Sequence, residues 1–289
     1  MLALLRGEAR QRKVPSCVLT FEPHPRDYFA AVTGKPELAP ARVGTLRDKL
    51  GELERSGVEQ AVVLPFDSRL ASLSPQAFID KVLVQGLGAR YVLVGDDFRF
   101  GAKRAGDYAL LDAAGVTQGF DVARMNSYEV HGLRVSSSAV RTALSEGRMS
   151  DAARLLGHAY HISGHVVHGR KLGRDFGFPT LNLRVPFAKP AASGIFVVRV
   201  HGLAPQGLPG VASLGTRPAV ELDGRPLLEV HVFEFAQDVY GRLVRVEFVH
   251  KLRDEQPFET LDLLKAQIAR DAQAARDYFS TAARSSAAP

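Results

Sequence analysis

The sequence has little of what marks a secreted, membrane-spanning or disulfide-stabilised protein. A single cysteine, Cys17, stands among 289 residues, so no disulfide can form within the chain. No run of about 18 apolar residues is present, which argues against a transmembrane helix. The first 15 residues contain no long apolar stretch ahead of a small-residue cleavage site, as a secretory signal would. These absences predict a cytoplasmic protein.

Two common phosphate-binding signatures are also missing. The sequence contains neither G-x-x-x-x-G-K-[ST] nor G-x-G-x-x-G, so any nucleotide must be held by other means. The net charge is +6, with basic residues scattered among acidic ones. That distribution favours small phosphate-bearing substrates over nucleic acid. We therefore expect neither a nucleic-acid partner nor a membrane partner.

The first half of the chain alternates strand-like and helix-like segments. Apolar runs at 16–21, 60–66 and 90–95 are separated by helical patterns such as 42–57. This alternation predicts a parallel sheet covered by helices. Ligands of such sheets bind beyond the carboxyl ends of the strands. The unusual polar segments EPHP, DSRL and DDFRFG fall in that place, which makes a nucleotide site the favoured interpretation.

A serine cluster, SSSAVRTALSEG at 136–147, opens a further helix in this half. Exposed amides at a helix N-terminus bind phosphate, and the hydroxyls of Ser136 and Ser137 would add donors. Arg141 could reach the same anion. The alternative is a simple helix cap, and taken alone the cluster favours that alternative.

The second half, from about residue 160, changes to short segments rich in Val, Phe and Ile, separated by turn residues. This pattern predicts an antiparallel barrel or sandwich. A helix at 258–279 closes it, with apolar residues at three- and four-residue steps. We place the domain boundary after residue 157, the second domain at 158–280, and a disordered tail at 281–289.

The stretch GRDFGFPTLNL at 173–183 combines a glycine-rich basic loop with a strand. Side chains alternate along a strand, so Thr180 and Asn182 share one face while Leu181 and Leu183 share the other. Magnesium prefers hard oxygen ligands and binds with few protein groups when nucleotide phosphates supply the rest. Thr180 and Asn182 therefore form a candidate magnesium site. The loop residues expected to wrap a triphosphate include Gly169, Lys171, Gly173 and Arg174.

A carboxylate on a later strand, Glu229, supplies the candidate base. In LEVHVFEF the residues Leu228, Val230 and Val232 share one face, and Glu229 shares the other with His231. Phosphoryl transfer needs a group that accepts the proton of the attacking hydroxyl. A solvated charge at a sheet edge is an equally favoured interpretation of Glu229 taken alone.

Taken together, the motifs resemble those of the bacterial bifunctional riboflavin kinase/FMN adenylyltransferases, also called FAD synthetases. TFEPHP, GDDFRFG and SSSAVR are similar to motifs of the adenylyltransferase half. GRDFGFPTLN, SGIF, SLGTRP, EVHVFEF, DVYG and KLRDEQPF are similar to motifs of the kinase half, in the family's order. The resemblance implies a Rossmann-like nucleotidyltransferase domain at 1–157, followed by an antiparallel β-barrel kinase domain with a C-terminal helix.

The resemblance also implies two reactions and a set of site residues. ATP would phosphorylate riboflavin to FMN, and a second ATP would adenylylate FMN to FAD. In the kinase half, Glu229 would be the catalytic base, and Arg253 and Glu255 would flank the flavin. The implied magnesium and ATP ligands of the kinase are Thr180 and Asn182, and the implied ATP ligands of the adenylyltransferase are His24, Asp97, Arg99, Ser136, Ser137 and Arg141.

One family motif, G-x-F-D-G-x-H-x-G-H, does not stand in the sequence. It belongs before the first strand, and its histidines stabilise phosphates during adenylyl transfer. We expect that the recorded start is too late, with loss of the adenylylation machinery as the alternative. These 289 residues are expected to keep riboflavin kinase activity and to make little FAD. A hypothesis of another class is a flavin-binding or nucleotide-sensing module without turnover.

Overall fold

The computed structural model describes residues 1–125, 129–130, 133–169, 177–215 and 226–286. The chain forms two compact units. The first comprises Met1–Pro40 and Lys49–Arg134, and the second comprises Ala41–Asp48 and Val135–Pro289. Among the helices of the described residues, none is long and apolar enough to cross a membrane.

The first unit alternates helices and strands, as the periodicity predicts. Its helices are α1 (Leu2–Arg12), α2 (Pro25–Val32), α3 (Leu46–Arg55), α4 (Ser68–Ala71), α5 (Pro75–Phe78) and α6 (Tyr108–Gln118), with α3 divided between the units. Short 3₁₀ turns lie at Pro36–Leu38 and Ala102–Arg104, and a π-helix at Ile79–Gly86 continues α5. Its strands are β1 (Cys17–Glu22), β2 (Gln60–Pro65), β3 (Tyr91–Gly95), β4 (Asp121–Met125), β5 (Glu129–Val130) and β6 (Leu133–Arg134).

Strand pairing in the first unit is parallel wherever helices connect the strands. β1 pairs with β2 and β3 pairs with β4, both in parallel. Phe78, Ile79, Leu83 and Leu111 pack with Phe120 in its core. The fold prediction for this half, parallel strands covered by helices, is confirmed.

The second unit is built on a closed antiparallel barrel. Its elements are α7 (Ser137–Ser145), α8 (Met149–Leu156), β7 (His161–Val167), β8 (Leu181–Arg184), β9 (Gly194–His201), β10 (Leu208–Gly215), β11 (Leu227–Val232), β12 (Leu243–Arg253) and α9 (Leu261–Ser286). The strands close in the order β10-β11-β8-β7-β12-β9. Every neighbouring pair is antiparallel. The predicted choice between barrel and sandwich is thus decided for the barrel, whose interior holds fully buried Leu183, Phe196, Leu228 and Phe248.

The C-terminal helix α9 packs against the outside of the barrel, on β9, β10 and β12. Its fully buried Ala272 and Ala275 join Val197, Val211 and Phe233 in a separate apolar cluster. The helix continues to Ser286, six residues beyond the point where we predicted a disordered tail. Ala282, Ala283 and Arg284 are good helix formers, which explains the extension. Residues 287–289 lie outside the described part of the chain.

The segment Ala41–Asp48 belongs to the second unit although it lies in the first half of the sequence. The Arg42 amide donates to the Lys189 carbonyl (2.8 Å). The Ser163 amide donates to the buried carboxylate of Asp48 (3.0 Å), which also accepts from the amide and hydroxyl of Thr45. Thr45 and Asp48 cap each other's backbone. α3 therefore begins at Leu46, inside the segment 42–57 whose pattern predicts a helix with Thr45 and Asp48 at its start.

Candidate functional site

Three polar side chains stand in one row across neighbouring barrel strands. On β11, Glu229 is the register partner of Ser213 on β10 and of Asn182 on β8. Partners in an antiparallel register lie on the same face of the sheet. The alternation predicted for β11 agrees with the structure, because Leu228, Val230 and Val232 are buried on the opposite face. Glu229 therefore lies outside the core, beside the predicted magnesium ligand.

Glu229 opens into a cavity of about 630 Å³ between the barrel and α9. Thr180, Arg253 and Glu255, all predicted for the kinase site, line the same cavity. The apolar part of its wall is formed by Phe178, Ile195, Val211, Ala212, Leu264 and Ile268. A largely apolar cleft of this size with a few converging polar groups suits a small organic ligand, since such sites measure roughly 300–1,000 Å³.

A second cavity, of about 380 Å³, lies on the other side of Thr180. Thr180 is the polar residue that lines both cavities among the described residues. The second cavity is bounded by Val166, Pro179, Leu181, Val232, Phe235, Ala236, Gln237, Asp238, Val239 and Tyr240. The ring of Tyr240 lies against that of His168, with the two centroids 3.7 Å apart. Two ligands bound in these cavities would meet at Thr180.

Asn182 is buried, with 5% of its surface exposed. Its amide nitrogen donates to the backbone carbonyl of Thr180 (3.4 Å). A Cβ added at Gly169 would clash with the Asn182 amide group, so only glycine lets the backbone lie so close. The amide and the Thr180 hydroxyl together provide neutral hard oxygens, the ligand type that magnesium prefers. The donor chemistry and the close approach of Gly169 thus fit a magnesium ion.

His231 fixes the backbone ahead of Thr180. Its Nδ1–H donates to the carbonyl of Pro179 (2.9 Å), because a carbonyl can only accept. The edges of Phe178 and Phe233 meet the imidazole ring at centroid distances of 5.3 and 5.7 Å. Burial lowers the pKa of His231, and the Pro179 contact offsets part of that effect. The neutral imidazole therefore serves as a donor in the cavity wall.

Glu255 lies at the mouth of the larger cavity. Its carboxylate accepts a hydrogen bond from the Ser213 hydroxyl (3.1 Å). A Cβ at Gly215 would overlap the same carboxylate, so the end of β10 and the segment after β12 approach each other closely. These contacts fix Glu255 at the start of the segment 255–260, which lines the cavity.

The residues predicted for adenylyl transfer divide between the two units. In the first unit, the His24 ring caps α2 by accepting from the Arg26 amide (3.2 Å). Asp97 is exposed two residues beyond the end of β3, and its carboxylate lies close to Gly95. Arg99 pairs with Asp107 at 3.1 Å. The loops after β1 and β3 therefore carry these side chains where the sequence predicted them.

Ser136, Ser137 and Arg141 lie in the second unit. The Ser136 hydroxyl caps α7 by accepting from the Ala139 amide (3.1 Å), which agrees with the cap interpretation of the cluster. Arg141 donates from Nε to the Ala41 carbonyl (2.7 Å). Three predicted kinase residues, Lys171, Gly173 and Arg174, lie outside the described residues.

Comparison with known proteins agrees with these features. The FAD synthetase family profile matches residues 1–139, and the riboflavin kinase profile matches residues 156–279. The bifunctional riboflavin kinase/FMN adenylyltransferase of Escherichia coli K12 is 46% identical over 280 residues, spanning 96% of this chain and 88% of the relative. The Pseudomonas fluorescens protein of the same name is 45% identical over 276 residues, spanning 96% and 86%. The chain belongs to the bifunctional riboflavin kinase/FMN adenylyltransferase family.

One solved structure shares the fold of this family member over nearly the whole length of the chain. It is a crystal structure of a Streptococcus pneumoniae protein described as a macrolide-efflux protein. The TM-score is 0.72 at 29% identity, with 95% of this chain and 88% of that chain covered. The predicted family is confirmed by the sequence comparisons.

Within the kinase half of this family member, sequence reasoning missed several residues that line the larger cavity. Ser213 and Asp271 were given no role, nor were residues 256–260. One signal was available for Asp271, since it lies on the apolar face of α9, seven residues after Leu264 and four before Ala275. An acid in that position requires a partner. The signal for Ser213 was its place as the first residue of the SLGTRP motif.

Proposed function

We propose that this chain phosphorylates riboflavin to FMN and adenylylates FMN to FAD, each time with ATP. The observation that carries the kinase assignment is the arrangement around Thr180, which lines two adjoining cavities with Glu229 in one of them. Family membership, with an FAD synthetase match over residues 1–139, carries the adenylyltransferase assignment.

Riboflavin is assigned to the larger cavity. Phe178, Ile195 and Leu264 contribute to the apolar wall of this cavity. Such a wall suits the flavin ring system, because that ring system is planar, aromatic and uncharged. The ring would lie toward Arg253 and α9. Its ribityl chain would then extend toward Glu229 and Thr180, where the reacting hydroxyl is needed.

ATP is assigned to the smaller cavity, where its adenine would lie between Val166 and Tyr240. Its phosphates would point to Thr180 and Asn182, next to Gly169. We propose that Thr180 and Asn182 hold magnesium together with these phosphates. When bound, magnesium supplies positive charge that balances the triphosphate.

Glu229 is proposed as the general base. Its carboxylate would accept the proton of the ribityl 5′-hydroxyl as that oxygen bonds to the γ-phosphorus and the bond to the ADP oxygen breaks. The register that places Glu229 beside Asn182 would hold the base and the phosphates on the same face of the barrel.

The proposal is tested by incubating the 289-residue chain with riboflavin, ATP and magnesium and separating the products by chromatography. FMN with equimolar ADP is expected. A second incubation starting from FMN is expected to give FAD and diphosphate, a result that would overturn the expectation of little FAD based on the missing G-x-F-D-G-x-H-x-G-H motif. Tight riboflavin binding without ATP consumption would refute the kinase assignment and favour a non-catalytic flavin-binding module instead.

A further inference from the structure

The C-terminal helix contributes a charged side chain to the flavin cavity, and its partner is Arg253. The Asp271 carboxylate accepts from Arg253 Nε (3.0 and 3.2 Å) and from Arg253 Nη2 (2.7 Å). This is the two-pronged geometry in which a guanidinium and a carboxylate bind most strongly. Both side chains line the larger cavity.

Asp271 is held as firmly as the arginine it binds. Only 7% of the residue is exposed, and Gln267, one turn earlier on α9, donates from its side-chain amide to the same carboxylate (2.8 Å). A buried carboxylate is costly unless it is paired and hydrogen-bonded. Asp271 therefore stays in place through contacts from its own helix and from the end of β12.

Arg253 is the last residue of β12. The loop that follows it lines the cavity. Its Nη1 donates to the Asp254 carbonyl (2.9 Å), and its guanidinium lies 5.9 Å from the centre of the Phe258 ring. A guanidinium has five N–H donors. Contacts among the described residues use three of them, which leaves two for a ligand.

We propose that Asp271 is a positioning residue for riboflavin, acting through Arg253. This inference rests on the proposed kinase function. Asp271 holds the guanidinium plane against the cavity wall, so that its remaining donors meet the carbonyl oxygens of the flavin ring. Asp271 also balances the arginine charge, which suits an uncharged ring. Because Asp271 belongs to α9, docking of this helix and binding of the flavin are coupled.

The decisive variant is Asp271→Asn, which keeps the shape and the Gln267 contact but places an NH₂ group against the Arg253 donors. The matched control is Asp277→Asn. Asp277 has the same relation to Gln273 on α9 (2.9 Å) but is exposed and does not line the cavity. Steady-state kinase kinetics and riboflavin binding, followed by flavin fluorescence, are compared at a temperature where all proteins are folded.

For Asp271→Asn we expect the KM and Kd for riboflavin to rise about tenfold, as for loss of a charged hydrogen bond. The KM for ATP should stay within about twofold, and Asp277→Asn should match the wild type. An equal loss of ATP affinity, a fall in kcat alone, or identical behaviour of the two variants would overturn the proposal.

A double-mutant cycle with Arg253→Lys separates positioning from general damage. If Asp271 acts through Arg253, adding Asp271→Asn to Arg253→Lys should raise the riboflavin KM by less than about twofold more. Independent, multiplicative effects would overturn the positioning role. If the wild type makes FMN but the riboflavin KM and Kd of the variants differ from those expected, this inference fails and the proposed function stands. If the wild type makes no FMN, the proposed function fails as well.

Discussion

Ser213, Glu229 and Asn182 stand opposite one another on three hydrogen-bonded strands of the barrel. In the first unit, His24, Asp97 and Arg99 instead follow the ends of strands, on loops. A strand position fixes both the face and the neighbours of a side chain, whereas a loop position fixes neither. The described residues predicted for the kinase therefore lie within one unit, whereas those predicted for adenylyl transfer are divided between the two units.

The sharpest test of this comparison is Glu229→Gln. If the barrel holds the base and the other unit needs no part of it, riboflavin phosphorylation should fall about 10²–10⁴-fold, with little change in ATP binding. Adenylylation of supplied FMN should be unchanged. Both products are quantified by chromatography. Glu247→Gln, which removes a carboxylate paired with His201 (3.1 Å), serves as control, and an unaltered kinase rate in Glu229→Gln would reduce that residue to a surface charge.

The next largest effect is expected for Gly169→Ala. The added Cβ would displace the Asn182 amide, and a misplacement of about 1 Å costs on the order of 100-fold. We expect kcat/KM for magnesium-ATP to fall by about that factor, with the magnesium dependence shifted to higher concentration. Gly7→Ala, where a Cβ meets open space, is the control. An unchanged magnesium titration would separate Asn182 from the metal site.

A change in the first unit should give the reverse pattern. Asp97→Asn is expected to raise the KM for ATP in FAD formation about tenfold and to leave FMN formation as it is. Asp112→Asn, an exposed acid on α6, is the control. Equal losses in both reactions would contradict the assignment of Asp97 to adenylyl transfer.

The smallest effect is expected in the pH dependence of stability. Partial burial lowers the pKa of His231 below its ordinary value of 6.5. As the pH falls through this range, the unfolded chain binds a proton at His231 more readily than the folded chain does. The free energy of unfolding therefore decreases as the pH falls. Between pH 7.5 and pH 5, the melting temperature of His231→Asn should therefore fall by less than that of the wild type. His165→Gln, at an exposed histidine bonded to the Gly241 carbonyl (2.9 Å), is the control. If the melting temperatures of wild type and His231→Asn fall in parallel, the lowered pKa of His231 is refuted.

The antiparallel strands of the barrel and the outward position of Glu229 could be predicted from sequence, because alternation along β11 separates Glu229 from Leu228 and Val230. The family could be predicted because many motifs follow one order. The place of Ala41–Asp48 in the second unit could not, since Asp48 accepts from the backbone amide of Ser163, 115 residues away in sequence. The pairing of Arg253 with Asp271 escaped for the same reason, because helix periodicity gives a face but not the partner on it.

The segment Ala41–Asp48 has a consequence for engineering this protein. Consider a chimaera that joins the halves of two relatives at a single point near residue 135. Its barrel would come from one parent, whereas residues 41–48, which pack in the same unit, would come from the other parent. Exchange of the kinase unit therefore requires three junctions, one on each side of residues 41–48 and one ahead of Val135. Homologous sequences that recombined between these points would have to keep Asp48, whose carboxylate accepts from the backbone amide of residue 163.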